Sequence, residues 1–294
     1  MYILGAYVVI GNTVYNYFAG ITFYYQRFSA TGTNPDDLGG ILALGIPVAC
    51  YLAVSESTNK MSFLFKFINF AYIPAAILGI VLTGTRTALI AAVPGMIFGL
   101  VALTRVRFSA RIAIILLLIS TFIILQPLLP QASLQRLGTI GNEIAEGDLN
   151  QRIPIWRDGL ESFSEHPLLG VGSFMYRSVN SRGKVGHNSF LSVLVEVGLI
   201  GFVLFATVIV ITVIKAMRQP KKESIFWLTI FSTWAIIASA LTWEHRKPTW
   251  LFLSLIIASA ALYSPLKEVV QLLQENKHKP LVMPIAKHTK SLSD

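Results

Sequence analysis

Long apolar runs separated by short polar segments occupy most of the chain. Eight runs are long enough for a membrane-spanning helix, which needs about 20 residues. They cover residues 2–19, 37–54, 62–83, 86–104, 109–130, 188–214, 223–243 and 247–265. None alternates with the period of two that marks a half-buried strand, and helices satisfy their own backbone hydrogen bonds in lipid. The pattern predicts an all-α, polytopic integral membrane protein.

Composition agrees with a lipid environment. The 294 residues are 54% hydrophobic and 13% charged, whereas soluble domains carry about 25% charged residues. The net charge of +9 does not indicate nucleic acid, because the Lys and Arg residues lie between the apolar runs. Cys50 is the only cysteine, and no metal-ligand spacing appears, so we expect no intramolecular disulfide, metal or cofactor.

Lys and Arg in the short loops predict the orientation of the chain. The N-terminal side holds Lys60, Lys66, Arg105, Arg107, Arg111, Lys215, Arg218, Lys221, Lys222 and a basic tail from Lys267. The short loops of the other side hold only Arg27, Arg86, Arg246 and Lys247. The positive-inside rule therefore places both termini in the cytoplasm.

This orientation predicts four regions. Residues 1–130 contain spans one to five, 131–186 form a large extracytoplasmic loop, 187–266 contain spans six to eight, and 267–294 form a basic cytoplasmic tail. Within the loop, residues 152–165 (RIPIWRDGLESFSE) have the apolar spacing of an amphipathic helix, with Pro154 suited to its first turn. Such a helix lies on the membrane surface or on the ends of the spans.

Arginines near the predicted outer face are candidate anion ligands. Arg86 opens the fourth span after a Thr-Gly-Thr turn, where Thr83 or Thr85 can cap the helix. Arg86 either snorkels to lipid headgroups or binds an anion together with the helix amides. Arg152 and Arg157 either lie on a solvated face or match the geometry of a phosphate with their guanidinium groups.

His187 and Asn188 stand where the long loop re-enters the membrane, and His187 is a candidate general base. A helix N-terminus favours the neutral imidazole. On an ideal helix, Gly198 and Gly201 lie within about 40° of His187 and form a small-residue face suited to helix packing. Glu196 lies about 180° away, so we expect it to make a structural hydrogen bond to a neighbouring helix. Arg27 and Arg246 also fall on the outer side, and the favoured interpretation of both is as interface anchors.

Four segments together resemble the O-antigen ligase and Wzy-type polymerase family. They are TGTRTAL (83–89), RIPIWRDGLESFSEHPLLGVGSF (152–174), HNSFLSVLVEVGLIGF (187–202) and, more weakly, RFSATGTNPDDLG (27–39). The resemblance implies a bundle similar to the GT-C class of membrane glycosyltransferases. It also implies transfer of a glycan from an undecaprenyl-diphosphate carrier to an acceptor hydroxyl outside the bacterial cytoplasmic membrane, by an inverting mechanism without metal.

The resemblance also implies roles for individual residues. His187 corresponds to the catalytic histidine, and Arg86 and Arg152 correspond to the arginines that bind the diphosphate. Independently of the resemblance, secondary candidates are Arg157, Arg27, Arg246, Asn188 and Glu196. Members of the family usually carry further spans N-terminal to these.

Several alternatives stay open at this level. A ligase would take a lipid A-core acceptor, whereas a polymerase of the same family would take another glycan repeat. A transporter usually places ionisable groups near the membrane midplane, where this chain has only Glu196. A non-enzymatic scaffold would use the long loop to bind a partner.

Overall fold

The computed structural model describes residues 1–23, 26–55, 62–104, 108–125, 129–139, 141 and 152–277. Within these residues the chain forms ten α-helices and one short 3-10 turn, Met175–Ser178. The helices are α1 Tyr2–Phe18, α2 Pro35–Val54, α3 Ser62–Thr83, α4 Arg86–Leu103, α5 Phe108–Leu125, α6 Gln131–Gly138, α7 Arg152–Glu165, α8 Ser189–Met217, α9 Lys221–Ala240 and α10 Lys247–Lys277.

The predicted bundle of membrane helices is confirmed. A helix occupies each of the eight apolar runs, and five of the described helices are long and apolar enough to cross a membrane: α2, α3 over Leu64–Thr83, α4, α8 and α9. The apolar part of α10, Lys247–Tyr263, is shorter. Large apolar side chains such as Leu100, Leu116 and Leu204 face outward, as they do in lipid. The chain is thus an integral membrane protein of several spans.

Apart from the ends of spans five and eight, the predicted span boundaries lie within about three residues of the described helix ends. Span five was expected to reach residue 130; α5 is described to Leu125, residues 126–128 lie outside the described part, and Pro130 precedes the separate helix α6. The tail was expected from residue 267, but α10 continues to Lys277, and residues 278–294 lie outside the described part. The predicted orientation stays a prediction.

Helix α2 is the centre of the bundle and packs against α3, α4 and α9. Leu38, Leu42 and Ile46 are fully buried along it. Small residues allow α2 and α4 to approach closely, since a Cβ on Gly39 would lie 2.7 Å from the Cβ of Ala88. Close packing of this kind is typical of helices in lipid, where van der Waals contact between closely approaching backbones drives association in place of the hydrophobic effect.

The loop helix α7 has the bounds predicted from the sequence, Arg152–Glu165. Ile155 packs with Tyr176 and Val195 in a small apolar cluster, so α7 lies against α8. The Tyr176 hydroxyl donates to the Ile155 carbonyl at 3.2 Å, and Trp156 Nε1 donates to the Gly186 carbonyl at 2.7 Å. These contacts fix the loop over the start of α8.

Helix α8 is broken at Gly198, which has φ 67° and ψ −170°. The segment after α7 inserts there. The N–H groups of Val171 and Gly172 donate to the carbonyls of Val195 and Glu196 at 3.0 and 2.8 Å. On the other side of the break, the N–H of Leu199 donates to the Pro167 carbonyl at 2.8 Å. Backbone groups freed by the break are therefore satisfied by protein, as lipid requires.

The break corrects the expected role of Gly198 as part of a flat helix-packing face. Because Gly198 adopts a positive φ, a side chain there is strained, and its Cβ would collide with the carbonyl of Leu168. A Cβ on Gly170, which has φ 69°, would likewise collide with the backbone of Glu196. Both glycines permit one backbone to pass directly over another.

Candidate functional site

A cavity of about 420 Å³ opens at the end of the bundle where α2 and α8 begin and α9 ends. Its wall combines charged, imidazole and aromatic side chains. The residues that line the cavity are Asn34, Asp36, Asp37, Phe174, Tyr176, Arg177, Val185, His187, Glu196, Leu241, Thr242, His245 and Arg246. Of the residues predicted from the sequence, His187, Glu196 and Arg246 belong to this wall. Arg86, Arg152, Arg157, Arg27 and Asn188 are not among the described residues that line it.

His187 precedes the helix instead of lying on it. Helix α8 begins at Ser189, because the side chain of Asn188 caps it by accepting from the N–H groups of Phe190 and Leu191 at 3.0 and 3.1 Å. His187 itself has φ 48°, and its N–H donates to Thr242 Oγ1 at 3.1 Å. Asn188 therefore caps α8. His187 directly precedes this cap, and its imidazole forms part of the cavity wall.

The imidazole of His187 is held in its neutral form. Burial is the largest cause, and the nearby charge of Arg152 is the next; together they lower the pKa of His187 from 6.5 to about 4. Lys184 and Arg177 act in the same direction, while Asp36 opposes them. The sequence predicted a neutral histidine from the helix N-terminus, but desolvation and neighbouring cations are the causes found here.

Arg152 begins α7 and lies close enough to His187 for its charge to affect that imidazole. Two of the three main predicted residues, Arg152 and His187, are thus close enough to interact electrostatically. Arg157 is exposed on α7, and its neighbour Asp158 accepts from the N–H and Oγ of Ser181 at 2.9 and 2.8 Å.

Arg86 connects the start of α4 to the end of α6. Its Nε donates to the Arg136 carbonyl at 2.8 Å, and its Nη2 donates to Thr139 Oγ1 at 2.6 Å. The snorkelling interpretation is therefore wrong for Arg86. The predicted side-chain cap is also wrong: Thr85 occupies the N-cap position without capping, and its hydroxyl donates to the Pro35 carbonyl at 3.1 Å.

Arg27 is buried and paired, which contradicts its predicted place as an interface anchor. Its Nη2 lies 2.6 Å from Asp36 Oδ1 and 2.8 Å from Thr85 Oγ1, and its Nε donates to the Thr83 carbonyl at 2.7 Å. Through Asp36 and Thr85, this network joins the cavity wall to the residue directly before Arg86.

Arg246 is about half exposed, but it also has a protein partner. Its Nη2 lies 2.7 Å from Asp37 Oδ2, and Asp37 Oδ1 accepts from Trp243 Nε1 at 2.9 Å. Arg27 and Arg246, both predicted to be anchors at the membrane interface, therefore bind the consecutive aspartates Asp36 and Asp37 at the start of α2. These ion pairs fix that end of the helix beside the cavity.

Glu196 shares the cavity with His187, which corrects the helical-wheel prediction. The wheel assumed that His187 lies on the helix, whereas the helix starts two residues later and breaks two residues after Glu196. The Glu196 carboxylate accepts from the N–H groups of Phe174 and Tyr176 at 2.9 and 3.3 Å. His245 Nε2 also lies 3.4 Å from Glu196 Oε2. The partners of Glu196 therefore come from loops, and not from a neighbouring helix as predicted.

Sequence reasoning missed several residues of the wall. Arg177 lies in the 3-10 turn, and His245 lies directly before Arg246 in the α9–α10 loop. The ring of His245 stacks on Phe174 at 4.1 Å between centroids. The segment WEHRKPTW carried a signal, because a histidine and an acid beside a predicted outer arginine form a concentrated polar group between apolar spans.

A bundle of membrane-length helices with a charged cavity at one end defines a polytopic membrane protein with a candidate active site between its helix ends. Residues 71–206 match the family model described as O-Antigen ligase. The match covers just under half of the chain and confirms the predicted resemblance to the O-antigen ligase and polymerase family, a family of glycosyltransferase-like enzymes. A search of curated proteins finds no match.

The matched region includes Arg86, Arg152, His187 and Glu196. The aspartates of α2 and the α9–α10 loop lie outside it. The cavity is therefore built jointly by the family region and by segments on both sides of it.

Proposed function

We propose that the protein transfers a glycan from an undecaprenyl-diphosphate carrier to an acceptor hydroxyl, at the outer face of the bacterial cytoplasmic membrane. The acceptor we favour is a lipid A-core, which makes the protein an O-antigen or surface-polysaccharide ligase. One observation carries the proposal: a neutral imidazole lies in the wall of a cavity, under the influence of arginine charges, inside the region that matches the family.

The proposed reaction is a direct displacement at the anomeric carbon. His187 accepts the proton of the acceptor hydroxyl as its oxygen bonds to that carbon, and the bond from the carbon to the diphosphate oxygen breaks. The configuration inverts, and the carrier diphosphate leaves with the electron pair. A base on the nucleophile and fixed cations at the leaving group are what such a step needs.

Arg86 and Arg152 are the proposed ligands of the diphosphate. Guanidinium groups keep their charge at any working pH and bind phosphate oxygens in pairs, so they can stabilise the leaving group without a metal. Arg177, which lines the cavity, is a further cation available to the donor. Arg86 is already oriented by α6 through its bonds to Arg136 and Thr139, and such bonds favour a preorganised site.

Donor binding would also strengthen the base. Arg152 and Arg177 help to lower the pKa of His187 while no anion is bound. A diphosphate beside these arginines offsets their positive charge, so the pKa of His187 rises towards its ordinary value. The imidazole then becomes a better proton acceptor when the donor is in place.

Surface glycans of a strain that lacks this protein test the proposal and separate ligase from polymerase. A ligase predicts unattached full-length chains, whereas a polymerase predicts single repeats on the acceptor. Complementation with the wild-type chain should restore the normal pattern, and complementation with His187→Ala should not. Surface glycans that do not change on deletion would contradict both enzyme hypotheses.

A transporter is the second candidate, because a broken span with a buried acid is typical of transport sites. Here the broken helix α8 is closed by loop backbone, and Glu196 binds the amides of Phe174 and Tyr176. These contacts give both features a structural role and favour the transferase. Solute flux in proteoliposomes that stops on Glu196→Gln would support transport instead.

A further inference from the structure

Three ionisable side chains converge beside the cavity, two of them, Glu196 and His245, in its wall. Glu196 comes from the break in α8, and Glu244 and His245 come from the loop between α9 and α10. His245 Nε2 lies 3.4 Å from Glu196 Oε2 and 3.7 Å from Glu244 Oε1. One carboxylate oxygen from each acid and one imidazole nitrogen all lie within 4.8 Å of one another.

Glu244 lacks the hydrogen bonds that a buried carboxylate needs. Its side chain is only 5% exposed. Neither of its oxygens makes a well-formed hydrogen bond within the described part of the chain, although Ser189 lies near enough to favour the ionised carboxylate. Burying an ionised carboxylate without a partner is strongly unfavourable, and a second carboxylate beside it adds repulsion. The side chain of Glu196 is 6% exposed, so the two acids face each other with little access to water.

The other two side chains are held in position to share a ligand. Glu196 accepts one amide N–H at each carboxylate oxygen, from Phe174 and Tyr176, and each oxygen keeps a second lone pair. The ring of His245 is fixed by its stack on Phe174. With its side chain 34% exposed, His245 lies where the cluster meets the cavity.

We propose that Glu196, Glu244 and His245 bind a divalent transition-metal ion, with Zn²⁺ as the best fit. Imidazole nitrogen and carboxylate oxygen are both ligands of Zn²⁺ at about 2.0–2.2 Å, which places tetrahedral ligand pairs about 3.4 Å apart. The two distances measured from His245 are close to that spacing. The ion supplies the positive charge that the two buried carboxylates need, and water from the cavity completes the tetrahedron.

The proposed role of the ion is structural. It links the break in α8 to the α9–α10 loop, and through Glu196 it also fixes the turn that carries Phe174 and Tyr176. The spacing of residues in the sequence does not predict this metal site, because His245 and Glu196 are 49 positions apart. The metal site takes no part in the proposed chemistry of His187 and the arginines. The proposal of a metal site and the proposal of glycan transfer can therefore be tested independently.

Metal binding to the purified full chain in lipid nanodiscs tests the proposal. The protein is stripped with a chelator and titrated with Co²⁺ as a spectroscopic probe, and then with Zn²⁺. We expect a single Co²⁺ to bind with the visible absorption of a low-coordinate site. We also expect Zn²⁺ to displace it and to raise the unfolding temperature, since a ligand of the native state stabilises it.

Two ligand variants and one matched control decide the assignment. Glu244→Gln and His245→Gln should lose the Co²⁺ band and bind more than about tenfold more weakly, because even outer-shell changes cost that much. His166→Gln removes an exposed histidine next to α7 and should bind Co²⁺ as the wild type does. If Glu244→Gln does not fold, His245→Gln carries the comparison, because its side chain is partly exposed.

Two results would overturn the site. One is a wild-type chain that binds Co²⁺ no more tightly than His245→Gln. The other is a wild-type chain that takes up no stoichiometric metal while Glu244→Gln is more stable than wild type, because the acids then share a proton and hold no ion. Neither measurement uses glycan transfer, so loss of the transferase proposal leaves this one intact.

Discussion

Replacing Gly198 with alanine tests how the broken helix builds the site. The backbone at φ 67° and ψ −170° lies in a region that is almost restricted to glycine, and strain there costs about 1–3 kcal/mol for another residue. The added Cβ would also collide with the Leu168 carbonyl. Relief of that collision disturbs the bonds from Leu199 to Pro167 and from Ile200 to Leu168, each worth about 0.5–1.5 kcal/mol. We therefore expect a destabilisation of about 2–6 kcal/mol.

The free energy of unfolding, measured by denaturant titration of the purified protein in detergent, checks this value. Gly11→Ala is the matched control, because Gly11 is helical and has open space around its Cα. That variant should be neutral or up to about 1 kcal/mol more stable. A Gly198→Ala protein that unfolds within about 0.5 kcal/mol of wild type would refute the broken-helix account.

Three further predictions concern the charged residues around the cavity. In a transfer assay, kcat/KM for the donor should be constant near neutral pH and fall as the pH drops through about 4, where His187 becomes protonated and stops acting as a base. The acid limb of kcat should lie at higher pH, and an acid limb near 6.5 in kcat/KM would argue against the buried neutral imidazole. Arg86→Lys should lower transfer by more than about tenfold with normal membrane insertion, because an ammonium group cannot reproduce the guanidinium fork; full activity would favour a scaffold. Asp36→Asn should destabilise the protein by about 3–5 kcal/mol by leaving the buried Arg27 without its counter-charge. Asp37→Asn, whose arginine partner is half exposed, should cost no more than about 1 kcal/mol, and equal losses in the two unfolding titrations would contradict the difference in burial.

Local sequence patterns predicted the helices well, because each signal is short in range. Apolar runs gave the spans, and the apolar spacing with Pro154 in the first turn gave α7 from its first residue to its last. The neutral state of His187 was also predicted, although its causes are burial and neighbouring cations.

The parts that were missed depend on contacts between distant segments. The helical wheel that placed His187 and Glu196 on opposite faces needs a helix that contains both residues, but α8 begins at Ser189, after the Asn188 cap, so His187 is not on the helix. Whether a glycine breaks a helix depends on the segment that binds the freed backbone, and that segment lies about 30 residues away in the chain. The burial of Arg27 follows from its pairing with Asp36 and is equally invisible in a local pattern.

Histidine substitution in a reconstituted transfer assay tests the central claim most directly. The assay supplies a polyprenyl-diphosphate-linked glycan and a lipid A-core acceptor to proteoliposomes, and it compares His187→Ala with His166→Ala at equal levels of inserted protein. We predict that His187→Ala loses at least about a hundredfold in transfer rate, as expected for removal of a general base, while His166→Ala keeps wild-type activity. A His187→Ala protein that transfers glycan within a few-fold of the wild-type rate would contradict the assignment of His187 as the base.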